Sequence, residues 1–406
     1  MGESLNAACC IVGGGPAGMM LAFLLARAGV DVVVMEKHAD FFRDFRGDTV
    51  HPSTLELMHE LGLLTEFLQL PHQKVRTLSA SIGGKQVTVG DFSHLPVQCP
   101  YIAFMPQWDF LNFLAEQGKR YPAFRLMMQT EGTDLIEKGG AVVGVRAKTP
   151  SGEIDVHAPL VVACDGRHST MRAQTGFAVE NLGAPMDVLW FRLRHEPGDP
   201  EDSLGFFNAG SILVTINRGE YWQCAFVIPK GSFDDLRARG LEQFRTGIVH
   251  IQPRFEDRVA ELADWDAIKL LEVRVDRLKR WHKPGLLLIG DAAHAMSPVG
   301  GVGVNLAIQD AVAAANALAG PLRSGAVGED VLSQIQRRRE LPTIITQRMQ
   351  LAVQKRVIGQ VLATRAPVKP PAFLELFSAF PLLRRIPGRL IGMGVRPEHV
   401  HTPAVA

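Results

Sequence analysis

The chain is 406 residues long, 47% hydrophobic and 21% charged, with a formal net charge of +1. That length exceeds one typical core, so two domains or interleaved subdomains are expected. The balanced charge excludes a dedicated nucleic-acid binder, which would carry a basic excess. Cys9, Cys10, Cys99, Cys164 and Cys224 form no Cys-x-x-Cys pair and mostly sit among apolar neighbours, so neither a metal centre nor a redox dithiol is signalled. The N-terminus has no basic and long apolar leader, and no run approaches the ~18 apolar residues of a membrane span. A cytoplasmic protein is expected.

The first elements read as a βαβ unit. An apolar strand over 8–12 meets the turn Gly13-Gly-Gly-Pro-Ala-Gly18, a helix runs to 28, and a second strand over 30–35 stops at Glu36. Gly13, Gly15 and Gly18 stand in G-x-G-x-x-G register. Gly13 permits the tight turn, Gly15 lets backbone approach a pyrophosphate, and Gly18 allows close helix–strand packing. A helix starting at Pro16-Ala17 would point free N–H groups and a positive dipole end at phosphates. Glu36, about 20 residues beyond the last glycine, stands where an acid accepts hydrogen bonds from a ribose, with Lys37 beside it. Dinucleotide binding follows; the alternative is a Gly-rich turn in any α/β domain.

A loop carrying Arg43 and Arg46, either of which could reach dinucleotide phosphates, leads into a helix over 53–61. His51, just before that helix, is a candidate proton relay or a capping residue. A hairpin is expected over 77–89 around Gly83-Gly84, then a strand over 101–105. Gln107 opens the next helix, where its amide could reach a cofactor. Residues 124–158 read as a β-meander with turns at Gly139-Gly140 and 150–152. A buried strand over 160–164 ends at Asp165-Gly166.

The interval 180–270 reads as an antiparallel sheet with helices, built on strands over 188–193, 211–216 and 221–228. A helix over 255–262 and a strand over 268–275 returning to the first domain complete it. Trp190, Phe206 and Trp222 are candidates to line an apolar substrate pocket, with plain sheet core as the alternative. An apolar strand over 286–289 then breaks at Gly290-Asp291. A loop with Pro298, Gly301 and Gly303 follows, and a buried Ala-rich helix begins at Val304-Asn305. Arg337, Arg338, Arg339, Arg348, Lys355 and Arg356 lie on a helical stretch over 331–364 and read as a solvated face. After Pro367, Pro370 and Pro371 the tail is expected to pack on the body, in preference to lying on a membrane. The expected division is 1–75, 100–179 and 271–365 for the nucleotide domain, 76–99 and 180–270 for a substrate sheet, and 366–406 for the tail.

Three strand-to-turn sites thus occur in order: Gly13–Gly18, Asp165-Gly166 and Gly290-Asp291. With the Arg46 region and the sequence Gly290-Asp-Ala-Ala-His294, they resemble the group A FAD-dependent monooxygenases, the para-hydroxybenzoate hydroxylase family, over about 1–360. The resemblance implies an α/β fold with a Rossmann-like FAD domain, an inserted antiparallel-sheet substrate domain and a C-terminal helical segment. It implies FAD as cofactor, NAD(P)H as reductant, and molecular oxygen and a small molecule as partners. In such enzymes NAD(P)H reduces FAD, oxygen adds at C4a, and the hydroperoxide's distal oxygen passes to an aromatic or similar apolar substrate.

Carried over by position, Gly13, Gly15, Pro16, Ala17 and Gly18 would hold the FAD pyrophosphate, and Glu36 with Lys37 the adenosine ribose. Arg46 and Gln107 would lie along the cofactor, and the Asp165 loop would serve both FAD and the nicotinamide donor. Gly290 and Asp291 would bind ribityl hydroxyls. Pro298 would stand beside flavin and substrate, while Val304 and Asn305, with Gly301 and Gly303 in the same loop, would present groups to the isoalloxazine ring. The residues agree: a helix N-terminus at Val304-Asn305 would stabilise negative charge near N1 of reduced flavin, and Pro298 offers a rigid wall without an N–H. His51 is a candidate base; His294 could be one or serve structure only.

A non-oxygenating flavin oxidoreductase of the same fold shares all three motifs, and a flavin-binding redox module without turnover is a further alternative. The Trp-x-Trp-x-Ile-Pro pattern of tryptophan halogenases is absent. So is the second G-x-G-x-x-G of disulfide reductases. Substrate identity, NADH against NADPH, and monomer against homodimer stay open.

Overall fold

The structure, a computed structural model, describes residues 3–42, 49–200, 203–325 and 327–405. Its centre is a six-stranded sheet in the order His282–Lys283, Leu286–Leu288, Val161–Ala163, Cys9–Val12, Val32–Met35 and Phe124–Met127. All neighbours are parallel except the first pair. The four strands from Leu286–Leu288 to Val32–Met35 are buried at every position, which is why they read as unbroken apolar runs rather than alternating ones.

Alternate residues nonetheless serve different layers. Cys9, Ile11, Val32, Val34 and Val162 face the core beneath the helices Pro16–Arg27 and Val302–Ser324. Cys10, Val12, Val33, Met35 and Val161 face a second core. That second core is closed by a smaller sheet of Glu3–Asn6, Gly152–His157, Ala141–Thr149 and Glu131–Lys138. The Val302–Ser324 helix has the length and apolar content of a membrane span, but most of it is buried, so packing accounts for its composition.

A seven-stranded sheet lies alongside, ordered Lys269–Leu271, Met186–Arg194, Tyr221–Pro229, Ser211–Asn217, Leu204–Asn208, Thr77–Ile82 and Lys85–Asp91. The hairpin expected around Gly83-Gly84 therefore joins strands more than a hundred residues downstream. One face is covered by the helix Leu241–Ile251 around Phe191, Leu213, Trp222 and Phe244. The other face, with Val188, Ala225, Val227 and Trp190, turns toward Val299 and Ile358.

Several expectations change. Phe124–Met127 is not part of the meander; it runs parallel to Val32–Met35 and closes the central sheet. Glu3–Asn6 is a strand with no sequence signal of its own, held parallel to Gly152–His157. Lys269–Leu271 does not return to the nucleotide domain but pairs with Met186–Arg194 at the sheet edge. Residues 253–267 form three separate 3-10 turns, not a helix.

Candidate functional site

Three adjacent strands end level with one another. Val12 pairs with Ala163, and Ala163 with Leu288, so the turns that follow them come side by side at the sheet's carboxyl edge. Those turns are Gly13–Gly18, Cys164-Asp165-Gly166 and Ile289-Gly290-Asp291. Motifs far apart in sequence thus form one crevice, where open α/β sheets bind ligands.

The glycines of the first turn divide by what requires them. At Gly13, in left-handed backbone at φ 104°, an added Cβ would stand 2.5 Å from the Cys164 carbonyl oxygen. At Gly18 it would stand 2.0 Å from the Gly13 carbonyl oxygen, so helix and turn could not close. Gly15 is different. Its φ of −74° suits any residue, and an added Cβ would meet nothing within 4 Å. No protein neighbour demands a glycine there, yet it caps the helix Pro16–Arg27 at the end where the first-turn N–H groups lack intrahelical partners. An open cradle over a helix N-terminus fits a pyrophosphate. Ala17 is buried against the Gly290 turn. Glu36, buried, accepts from the Gly14 N–H (3.0 Å) and the His38 N–H (3.1 Å), which fixes its carboxylate beside the cradle. Lys37 is exposed. Arg46 and Arg43 lie outside the described residues.

Around the second turn, the Asp165 carboxylate points inward. It accepts from the Ser169 hydroxyl (2.5 Å) and the Met171 N–H (3.2 Å), fastening the short helix Thr170–Ala173. Burial holds its carboxyl above the usual range, against the lowering effect of those hydrogen bonds. Its side chain therefore shapes the loop. Arg167, next in that loop, reaches Asp291 at 3.2 Å and ties the second turn to the third. Arg172 supports it by donating to the Arg167 carbonyl (2.8 Å) and pairing with Asp276 (3.1 Å). Arg167, His168, Arg172 and Arg274 line a recess of about 450 Å³ beside this loop.

The third turn rests on a buried charge network. Asp310, fully buried, accepts from the Gly290 N–H (3.1 Å) and lies 2.6 Å from His294 Nε2 and 2.9 Å from Arg339 Nε. Arg339 continues to Glu398 in the tail at 3.1 Å. The solvated-face reading is thereby corrected for Arg339, which is 1% exposed. His294, packed on Trp281 and bonded to Asp310, is a structural group. Asp291 itself stays partly open, at 29% side-chain exposure, as a ligand-facing carboxylate needs to be.

Beyond it, Pro298 is half-buried, and Gly300 and Gly301 take left-handed backbone (φ 78° and 63°) before the helix at Val302. At Gly301 a Cβ would meet Thr49 Oγ1 at 2.3 Å, and at Gly303 one would touch Met296 at 3.4 Å. Val304 is half-buried. The Asn305 side chain is engaged within the protein. Its oxygen accepts from the His51 N–H and the Thr54 hydroxyl, both 2.8 Å, and its amide donates to the carbonyls of Thr49 (2.9 Å) and Gly301 (3.3 Å). The amide side chain is spent bracing this helix end against residues 49–54, leaving backbone N–H groups to face a ligand.

His51 is fully buried. Its Nδ1 donates to the Ile391 carbonyl (2.7 Å), its Nε2 has no partner among the described residues, and burial lowers its pKa to about 4 although the Ile391 bond opposes that. A group kept neutral so far below pH 7 is a poor proton-accepting base, so the structure does not support His51 as the relay. Gln107, half-buried, is the first residue of the helix Gln107–Gly118, as expected.

The aromatic candidates separate by face. Trp190 lies on the sheet face turned toward Val299. Trp222 and Phe206 lie on the opposite face, in the core under Leu241–Ile251, with the Trp222 indole N–H donating to Asp199 (2.8 Å). For Trp222 and Phe206 the substrate assignment is overturned, because strand alternation sends them away from the crevice. Sequence reading missed Thr49, Arg167, Asp310 and Glu398; only the run Asp165-Gly-Arg167 carried any local signal.

The fold and crevice define a Rossmann-like nucleotide-binding protein. Residues 6–349 match the family described as FAD binding domain; the chain belongs to that family and is a group A FAD-dependent monooxygenase. It is 32% identical to 6-methylpretetramide 4-monooxygenase of Streptomyces rimosus, over 94% of this chain and 91% of that one. Dialkyldecalin synthase of Streptomyces rugosporus is 27% identical, over 74% of this chain and 63% of its own greater length. Among solved structures, the OxyS anhydrotetracycline hydroxylase of Streptomyces rimosus superposes with a TM-score of 0.73 at 23% identity, covering 96% of this chain and 76% of that one.

Proposed function

We propose that this protein hydroxylates an aromatic or similar apolar small molecule, using FAD, molecular oxygen and electrons from NAD(P)H. The observation that carries the reading is the level ending of three parallel strands at Gly13, Asp165 and Asp291, with an open cradle at Gly15 that no protein contact explains. When bound, FAD supplies the redox chemistry and oxygen activation; the protein supplies position and electrostatics.

The Gly13–Gly18 turn and the helix at Pro16 would hold the pyrophosphate, and Glu36 the adenosine ribose. Asp291, oriented by Arg167, would hold the ribityl chain. The backbone N–H groups at the start of Val302–Ser324 would stabilise negative charge on the ring. Pro298 and the Trp190 face of the large sheet would form a dry wall beside it, slowing loss of the activated oxygen to water. The basic recess of Arg167, His168, Arg172 and Arg274 suits the phosphates of a nicotinamide donor.

The relative that acts on 6-methylpretetramide makes that compound the first substrate to assay. Substrate-stimulated NAD(P)H oxidation, with labelled molecular oxygen incorporated into product, is the expected result. Product formed without incorporated oxygen would overturn the reading.

A further inference from the structure

The tail packs through one face and leaves another bare. Its helices Ala372–Ala379 and Arg385–Gly392 lie against the hairpin strand Lys85–Asp91. Leu374 is buried, and Gly388 approaches so closely that a Cβ would stand 2.0 Å from the Asp91 carbonyl oxygen. On the outside, Leu376 (47% exposed), Phe380 (59%), Leu382 (68%) and Ile386 (60%) are left in solvent. Leu376 and Phe380 stand one helical turn apart, as do Leu382 and Ile386. The Leu383 N–H to Phe380 carbonyl bond (3.0 Å) and the Arg384 Nε to Phe377 carbonyl bond (2.8 Å) hold the two helices together across their turn. Four large exposed apolar side chains within the short stretch 376–386 are more than scattered surface residues.

The charge of the segment itself is one-sided, although the Asp91 carboxylate of the strand beneath it lies within electrostatic reach of Arg385. Residues 354–397 carry eight Lys and Arg and a single acid, Glu375, leaving 35 basic and 41 acidic residues in the rest of the chain. Glu375 is paired with Lys85 at 3.9 Å. Arg385 and Arg389 are exposed beside the apolar side chains. Lys369 follows Val368, whose carbonyl sits against the Gly83 turn of the same hairpin. A positively charged surface suits an anionic partner better than a second copy of the same chain, whose matching patch carries the same sign.

We propose that this element is a docking surface for an anionic lipid bilayer. Leu376, Phe380, Leu382 and Ile386 enter the boundary between headgroups and acyl chains, and Arg385 and Arg389 meet the lipid phosphates. The surface is outside the flavin crevice, so the proposal does not rest on the reaction assigned above.

The test is co-sedimentation of the FAD-loaded protein with phosphatidylcholine vesicles containing phosphatidylglycerol, against pure phosphatidylcholine vesicles. Binding to the anionic vesicles that weakens as salt is raised is expected. Phe380→Ser with Leu382→Ser, and separately Arg385→Glu with Arg389→Glu, should each weaken it at least ~10-fold. Thermal stability and turnover without vesicles should be unchanged. Equal binding to both vesicle types, or none to either, overturns the proposal. So does a dimer in sedimentation that the same variants dissociate, since that would assign the surface to a second copy.

Discussion

Arg338 and Arg339 are neighbours on one helix and both reach Glu398, yet replacing them should have very different consequences. Arg339 is 1% exposed and bridges two buried carboxylates, Asp310 (2.9 Å) and Glu398 (3.1 Å). Arg339→Met leaves Asp310, itself 0% exposed, with only His294 and the Gly290 N–H to balance its charge. Removing one partner of a buried pair costs about 3–5 kcal/mol. Arg338 is 37% exposed, and in its absence Glu398 keeps Arg339, so Arg338→Met should cost under about 1 kcal/mol. In a thermal melt followed by tryptophan fluorescence, Arg339→Met should lower Tm by roughly 4–6 °C and Arg338→Met by about 1 °C or less.

Because Asp310 also fixes the Gly290 N–H, FAD affinity measured by flavin fluorescence should fall in the first variant and not in the second. Burial would raise the Asp310 carboxyl, but His294 and Arg339 hold it below the ordinary range. A lowered carboxyl stabilises the fold fully above its unfolded pKa of about 4 and loses that contribution as acid protonates it. The difference between the variants should therefore be full at neutral pH and shrink below about pH 4. Equal melting temperatures for the two at pH 7 would refute the buried-network argument.

Four further outcomes are expected. Gly13→Ala should abolish FAD retention on purification, because the Cβ meets the Cys164 carbonyl at 2.5 Å in left-handed backbone; a fully yellow variant would count against the crevice. Asn305→Asp exchanges two amide donors for carboxylate oxygen facing the carbonyls of Thr49 and Gly301, so FAD Kd should rise at least ~10-fold, and an unchanged Kd would dissociate the 49–54 brace from cofactor binding. His51, held neutral down to about pH 4, leaves the unfolded chain to take up a proton between pH 6.5 and 4. Up to ~3 kcal/mol of stability should be lost across that window in the native protein and retained in His51→Gln; parallel pH–stability curves would show that His51 does not titrate as argued. Trp190→Ala should change KM for substrate with little change in Tm, whereas Trp222→Phe, which loses its bond to Asp199, should lower Tm with KM intact. The reverse pattern would mean the sheet faces are assigned wrongly.

What the sequence determined by itself is local and covalent in scale. The spacing of Gly13, Gly15 and Gly18 between an apolar strand and a helix, and the apolar runs ending at Asp165 and Asp291, are patterns each segment carries in its own residues, although the Cys164 carbonyl that leaves no room for a Cβ at Gly13 comes from another strand. Tertiary structure decided everything that depends on which segments meet. Arg337, Arg338 and Arg339 are chemically alike in the sequence, and only the path of the tail past Asp310 turns the third into a buried bridge. Trp190 and Trp222 both lie in strands rich in apolar residues, and which face turns to the crevice was fixed by the helix Leu241–Ile251 covering the other. Asn305 was legible as a residue of the flavin-side loop. Its role as a brace needed Thr49, His51 and Thr54, some 250 residues earlier, to arrive within hydrogen-bond reach. The tail shows the same division: its apolar and basic composition was plain in the sequence, and only its packing on the hairpin shows which apolar side chains are left facing outward.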